Sequence, residues 1–71
     1  MMFGKYELVQ TNYDHPTIMS GQRINGPAVV WVRAGDEWVR TGSANMHRVM
    51  AELEEYGVRR IVNGTWLEDQ R

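Results

Sequence analysis

The sequence predicts an α+β fold, a small single domain (residues 1–71) in which one α-helix packs on one face of a mostly antiparallel sheet. Apolar residues recur at helical spacing between residues 43 and 57. On either side of this segment, the dipeptides Gly35-Asp36 and Asn63-Gly64 supply turn chemistry between strand-like runs. The order in the C-terminal two thirds is therefore β-hairpin, helix, β-hairpin. A chain of 71 residues leaves room for one small core.

The first predicted strand covers residues 4–11. Its polar and apolar residues alternate, so that Tyr6 and Leu8 share one side, which we expect to be buried. Residues 12–27 follow and are rich in the turn formers Asn, Asp, Gly and Pro. Within them, residues 17–19 are consistent with a short edge strand, and the rest is either loop or weak strand.

The predicted hairpin at residues 28–41 carries the main candidate site. An even loop, of two or four residues, pairs Arg33 with Trp38 and Trp31 with Arg40. These four residues then share one side of the hairpin, because paired residues in antiparallel strands point to the same face. The other side carries Val30, Val32 and Val39.

A three-residue loop would change this register and set Arg33 opposite Glu37. Its usual form has glycine in the last loop position, where Asp36 stands. We therefore favour the even register. In it the valine side covers the helix, and the Trp/Arg face, defined as Trp31, Arg33, Trp38 and Arg40, points outward.

The helix is predicted within residues 43–57. Ser43 is the expected N-cap, since its hydroxyl can accept from a free backbone amide of the first turn. Gly57 is the expected stop, because glycine enters the left-handed conformation that often ends a helix. The apolar stripe consists of Met46, Val49, Met50, Leu53 and Tyr56.

The Asn63-Gly64 turn predicts a second hairpin after the helix. A two-residue loop pairs Ile61 with Trp66 and Arg59 with Glu68. The first of these is an apolar pair and the second joins opposite charges, and both kinds of pair stabilise antiparallel strands.

The amino-acid composition restricts the cellular compartment and the classes of binding partner that we expect. The chain has no cysteine, which excludes a disulfide framework and cysteine-ligated zinc and favours a reducing, cytoplasmic environment. We expect no signal peptide and no membrane span, because the apolar runs are too short.

The net charge of −1 gives no overall attraction to nucleic acid or to anionic membranes. Seven of the eight basic residues are arginines, a bias that favours contact surfaces, although a coding preference would produce it too.

Residues that could carry catalysis are sparse, so we predict that the protein is not an enzyme. His47 has no second histidine or glutamate three or four positions on, and His15 is the only other histidine. Gly21 and Gly26 lack the strand, helix and lysine that surround a phosphate-binding loop. We therefore expect no metal and no cofactor.

An acidic cluster, defined as Glu52, Glu54 and Glu55, lies in the last turns of the helix, where the helix dipole disfavours acids. Two interpretations are open. Arg59 and Arg60 could fold back and offset the cluster, or the cluster could form a secondary binding patch for a basic partner.

The Trp/Arg face is the strongest candidate for a functional site. Trp and Arg dominate the energetic centres of protein interfaces, so two tryptophans and two arginines on one sheet face favour a binding surface. Two alternatives need no partner. The arginines could simply stack on the indoles as a cross-strand ladder, or one tryptophan could belong to the core.

The segment at residues 51–60, followed by residues 63–68, resembles the recognition helix and wing of winged-helix DNA-binding proteins. In both, an acidic and leucine-containing helix end runs through a glycine into a basic hairpin. The resemblance covers less than a third of the chain and implies DNA binding through this half. Winged-helix proteins place further helices ahead of the recognition helix, where residues 4–41 here predict strands.

These observations favour a small non-catalytic protein-binding module whose partner is another protein or a second copy of the chain. Short intracellular chains of this kind often come from phages or other mobile elements and dock on a host protein, so we include this role in the hypothesis. The alternative hypothesis is nucleic-acid binding, with the arginines on phosphates and the tryptophans stacked on bases.

Overall fold

The chain forms six strands and one helix, as described for residues 1–69 in a computed structural model. The predicted α+β class is confirmed, with the helix packed against antiparallel strands. The strands before the helix are β1 (Met2–Phe3), β2 (Tyr6–Thr11), β3 (Val29–Ala34) and β4 (Glu37–Arg40). The helix α1 (Met46–Glu55) follows, and then β5 (Val58–Val62) and β6 (Thr65–Glu68).

The strands form two sheets rather than the single sheet that the sequence suggested. Strands β1 to β4 make an antiparallel meander in the order β1-β2-β3-β4, and β5 and β6 form a separate two-stranded sheet. Strand β1 was not predicted. It pairs Phe3 with Tyr6 across a tight turn, in which Gly4 has a φ of 58°.

The β3–β4 hairpin has the even register that the sequence favoured. Trp31 pairs with Arg40 and Arg33 with Trp38, and the loop has two residues because Ala34 pairs with Glu37. A three-residue loop is therefore wrong.

The β5–β6 hairpin turns at Asn63-Gly64 as predicted, with positive φ at both residues (51° and 72°). Ile61 pairs with Trp66, but the predicted pairing of Arg59 with Glu68 is wrong, because a bulge at Arg59 pairs Val58 with Glu68 instead. The bulge has a physical reason. Val58 and Ile61 are three residues apart, so strict alternation would put them on opposite faces, whereas the extra residue lets both pack on the core.

The helix begins later than predicted. Asn45, not Ser43, precedes its first residue, and the Ser43 hydroxyl donates instead to the Arg40 carbonyl oxygen at 2.8 Å. Gly57 ends the helix as predicted, with a φ of 102°. The apolar stripe is confirmed for Met46, Val49, Met50 and Leu53, whereas Tyr56 lies past the last turn and is exposed.

The core lies between the meander and the stripe of α1. The predicted valine side is buried, and so are Tyr6 and Leu8 from β2. Phe3, which the sequence analysis did not place, is buried as well and meets the Trp66 ring edge-on with the centroids 6.4 Å apart. The buried core residues are Phe3, Tyr6, Leu8, Val30, Val32, Val39, Met46, Val49, Leu53 and Val58.

The β2–β3 connection folds into an arm, which we define as residues 12–24. Tyr13 and Arg23 form a β-bridge, and the Asp14 carboxylate accepts from the Gln22 amide at 2.6 Å. The predicted edge strand at 17–19 is wrong. The amides of Ser20 and Gly21 both donate to the Thr17 carbonyl at 3.0 Å, which closes a turn at the tip of the arm.

The two sheets meet where the β5–β6 turn lies against the first sheet. The Gln10 side-chain amide donates to the Gly64 carbonyl oxygen at 2.6 Å. A side chain at position 64 would overlap the carbonyl of Ala28, so glycine is needed there for space as well as for its left-handed φ.

Gly64→Ala should therefore destabilise the fold more than Gly35→Ala. Both residues have a positive φ, but the space around Gly35 is open. Gly35→Ala therefore measures only the cost of placing alanine at a positive φ, about 1–2 kcal/mol. The Ala28 contact should add about 1–3 kcal/mol for Gly64→Ala. Urea unfolding measures both variants, and equal losses of stability would contradict the close approach of the two sheets.

Candidate binding surface

The Trp/Arg face lies on the side of the meander that faces away from α1. Its four residues alternate along β3 and β4 with the buried valines, which fixes the direction of their side chains. Strand β2 extends the face, because Glu7 pairs with Arg33 and Val9 with Trp31. The surface therefore spans three strands.

Arg33 is held by two contacts on this face. Its guanidinium lies 3.3 Å from the Glu7 carboxylate and above the Trp38 ring, 5.8 Å from the ring centroid. Both contacts are partly exposed, so each contributes no more than about 1 kcal/mol. Their main consequence is that Arg33 and Trp38 orient each other on this face.

Trp31 is covered in part by the arm. The His15 ring lies 5.6 Å from the Trp31 ring, centroid to centroid, at a tilt of 51°. The Trp31 Nε1 atom is buried and has no hydrogen-bond partner among the described residues. Of the two indoles, Trp31 is thus the one that packs under other parts of the chain.

Arg40 combines solvent exposure with the absence of an ion-pair partner among residues 1–69. Its strand neighbour on the same face is Trp38, which is half-buried. Trp38 and Arg40 therefore form the end of the face with an uncompensated positive charge.

The three residues of the acidic cluster differ in their contacts. The Tyr6 hydroxyl, on a residue only 4% exposed, donates to the Glu52 carboxylate, and Lys5 lies 3.6 Å from the same carboxylate. Glu54 and Glu55 are exposed. The ion pairs found in residues 1–69 do not include Arg59 or Arg60.

Outside the Trp/Arg face, the described residues offer few features that could support chemistry. In residues 1–69, His, Asp and Glu side chains form no group of three that could hold a metal ion. A shallow surface depression lies on the β5–β6 hairpin, lined by Arg59, Trp66, Leu67, Glu68 and Asp69. The single helix of the described residues is too short to cross a membrane.

Comparison of this chain with protein-family models found no match, and comparisons with curated proteins and with solved structures found none either. The winged-helix resemblance also lacks its structural context. Residues 1–45, where that family has helices, form the meander and the arm. The geometry of the Trp/Arg face is therefore the basis for inferring its function.

Tyr6→Phe should destabilise the fold by about 1–2 kcal/mol, because it removes a mostly buried hydroxyl that donates to a carboxylate. Tyr56→Phe is the matched control. Tyr56 is exposed, so its loss of a hydroxyl should change stability by less than about 0.5 kcal/mol. Chemical unfolding measures both, and a neutral Tyr6→Phe would show that the bond to Glu52 does not tie the helix to β2.

Proposed function

We propose that this protein is a small non-catalytic protein-binding module that contacts its partner through the Trp/Arg face. One observation carries the proposal. The hairpin register places Trp38 and Arg40 side by side on a sheet face that α1 leaves uncovered, next to Arg33 and Trp31. These are the residue types that concentrate binding energy at protein interfaces.

The contacts within the face support binding rather than simple solvation. Arg33 and Trp38 are already oriented by each other and by Glu7. Their side chains therefore lose less conformational entropy when a partner binds. Arg40 remains available for a carboxylate. The fitting partner is a protein surface that offers apolar area to Trp38 and an acidic group to Arg40.

The setting proposed for this function is the cytoplasm, which the cysteine-free composition favours. A role as a phage or mobile-element protein that docks on and modulates a host protein is part of the same proposal. It is supported only by the small size of the chain.

Nucleic-acid binding is the second candidate, favoured by the two indoles and two guanidinium groups on one open sheet face. The Glu7 carboxylate weakens this candidate, because it pairs with Arg33 and would repel phosphates. A labelled single-stranded oligonucleotide distinguishes the two functions. Binding that weakens steeply with salt would favour nucleic acid over protein.

Affinity capture from a lysate of the native host cells, read by mass spectrometry, tests the proposed function. Trp38→Ala and Arg40→Ala should each reduce the recovery of the specific partner at least about tenfold, because each removes a central contact. Circular dichroism confirms that each variant is folded.

Leu67→Ala and Arg48→Ala are the matched controls. Both residues are exposed, and they lie on β6 and on α1, away from the Trp/Arg face. Their capture should equal that of the wild type. The proposal fails if the folded Trp38 and Arg40 variants capture the partner as well as these controls do.

A further inference from the structure

Strand β4 is an open edge of the meander. It pairs with β3 on one side, and within residues 1–69 no strand pairs with its other side. Natural proteins protect such edges with charged side chains, proline, bulges or very short strands. The opposite edge, β1, has only two residues, whereas β4 (Glu37–Arg40) has four, contains no proline and carries its two charged residues at its ends.

The register determines which main-chain groups point away from β3. Thr41 donates its amide to the Val30 carbonyl at 3.2 Å, so this pair is hydrogen-bonded, and the bonded pairs then recur at every second residue. Val39 and Glu37 therefore direct their main-chain groups at β3. The amide and carbonyl of Trp38, the amide of Arg40 and the carbonyl of Asp36 point outward at the free edge.

The free edge ends at Arg40. The outward carbonyl of Arg40 already accepts from the Ser43 amide at 3.1 Å and from the Ser43 hydroxyl at 2.8 Å. An added strand can therefore use Trp38, the Arg40 amide and the Asp36 carbonyl, but not the Arg40 carbonyl.

We propose that a second copy of this chain pairs with β4, antiparallel and around a two-fold axis at Trp38. In this register Trp38 exchanges main-chain hydrogen bonds with Trp38 of the partner subunit. The Arg40 amide donates to the carbonyl of the partner subunit's Asp36. The arrangement uses the free groups of the edge, whereas an axis at Val39 would require the occupied Arg40 carbonyl.

Charge complementarity supports a second copy as the occupant. The register sets Arg40 opposite the partner subunit's Asp36, and symmetry repeats this pair of exposed, opposite charges. The meanders of the two copies would form one continuous sheet, with the Trp38 residues at its centre. This assembly goes beyond the proposed function, with which it shares Arg40 and Trp38.

Sedimentation equilibrium tests the dimer by charge reversal. The apparent molecular mass of the wild type should rise with protein concentration from 8.3 kDa toward twice that value. Arg40→Asp and Asp36→Arg each place like charges opposite one another, so each should weaken self-association by about tenfold or more. An equimolar mixture of the two variants should recover the dimer, because every facing pair in the mixed dimer again has opposite charges. Arg48→Asp, an exposed change on α1, should dimerise like the wild type.

The dimer is overturned if the wild type stays at the monomer mass at millimolar concentration, or if the mixture dissociates as readily as each variant alone. Hydrogen exchange of the wild type keeps the test decisive if a variant misfolds. Protection of the Trp38 and Arg40 amides must increase with protein concentration, and concentration-independent exchange overturns the proposal. A monomer that still captures its partner through Trp38 would refute the dimer and leave the proposed function standing.

Discussion

The structure depends on burying the valines of β3 and β4 against the apolar stripe of α1. Val30, Val32 and Val39 are almost completely buried, and so is Leu53 on the facing helix. A 71-residue chain has little other apolar area to bury, so losing this contact would remove most of its core. The same contact sets the direction of the neighbouring residues. Because side chains alternate along a strand, inward valines force the Trp/Arg face outward.

The remaining contacts connect other parts of the chain to this core. Tyr6 reaches the helix through Glu52, and Gly64 brings the second hairpin against Ala28. The bulge at Arg59 turns both Val58 and Ile61 toward the core. The Tyr6–Glu52 and Gly64–Ala28 contacts join residues far apart in sequence, so they restrict how α1 and the two sheets can move relative to one another.

Local patterns in the sequence predicted the elements that local chemistry determines. The alternation at Tyr6 and Leu8, the Asn63-Gly64 turn and the β3–β4 register follow from periodicity and turn preference, and all are confirmed. Features set by tertiary contacts were missed. Spacing gives no sign that His15 packs on Trp31, and β1 was too short to show alternation. The Ser43 cap failed because the helix begins only at Met46, and the Ser43 hydroxyl donates to the Arg40 carbonyl oxygen instead of accepting from a first-turn amide.

An NMR titration with the captured partner tests whether binding occurs on the Trp/Arg face, as we propose. Amide and indole resonances of a ¹⁵N-labelled sample report every strand at once. The largest chemical-shift changes should fall on the Trp38 indole, on the Arg40 amide and on their β3 neighbours. Changes concentrated on α1 or on the β5–β6 hairpin, with β4 unperturbed, would contradict it.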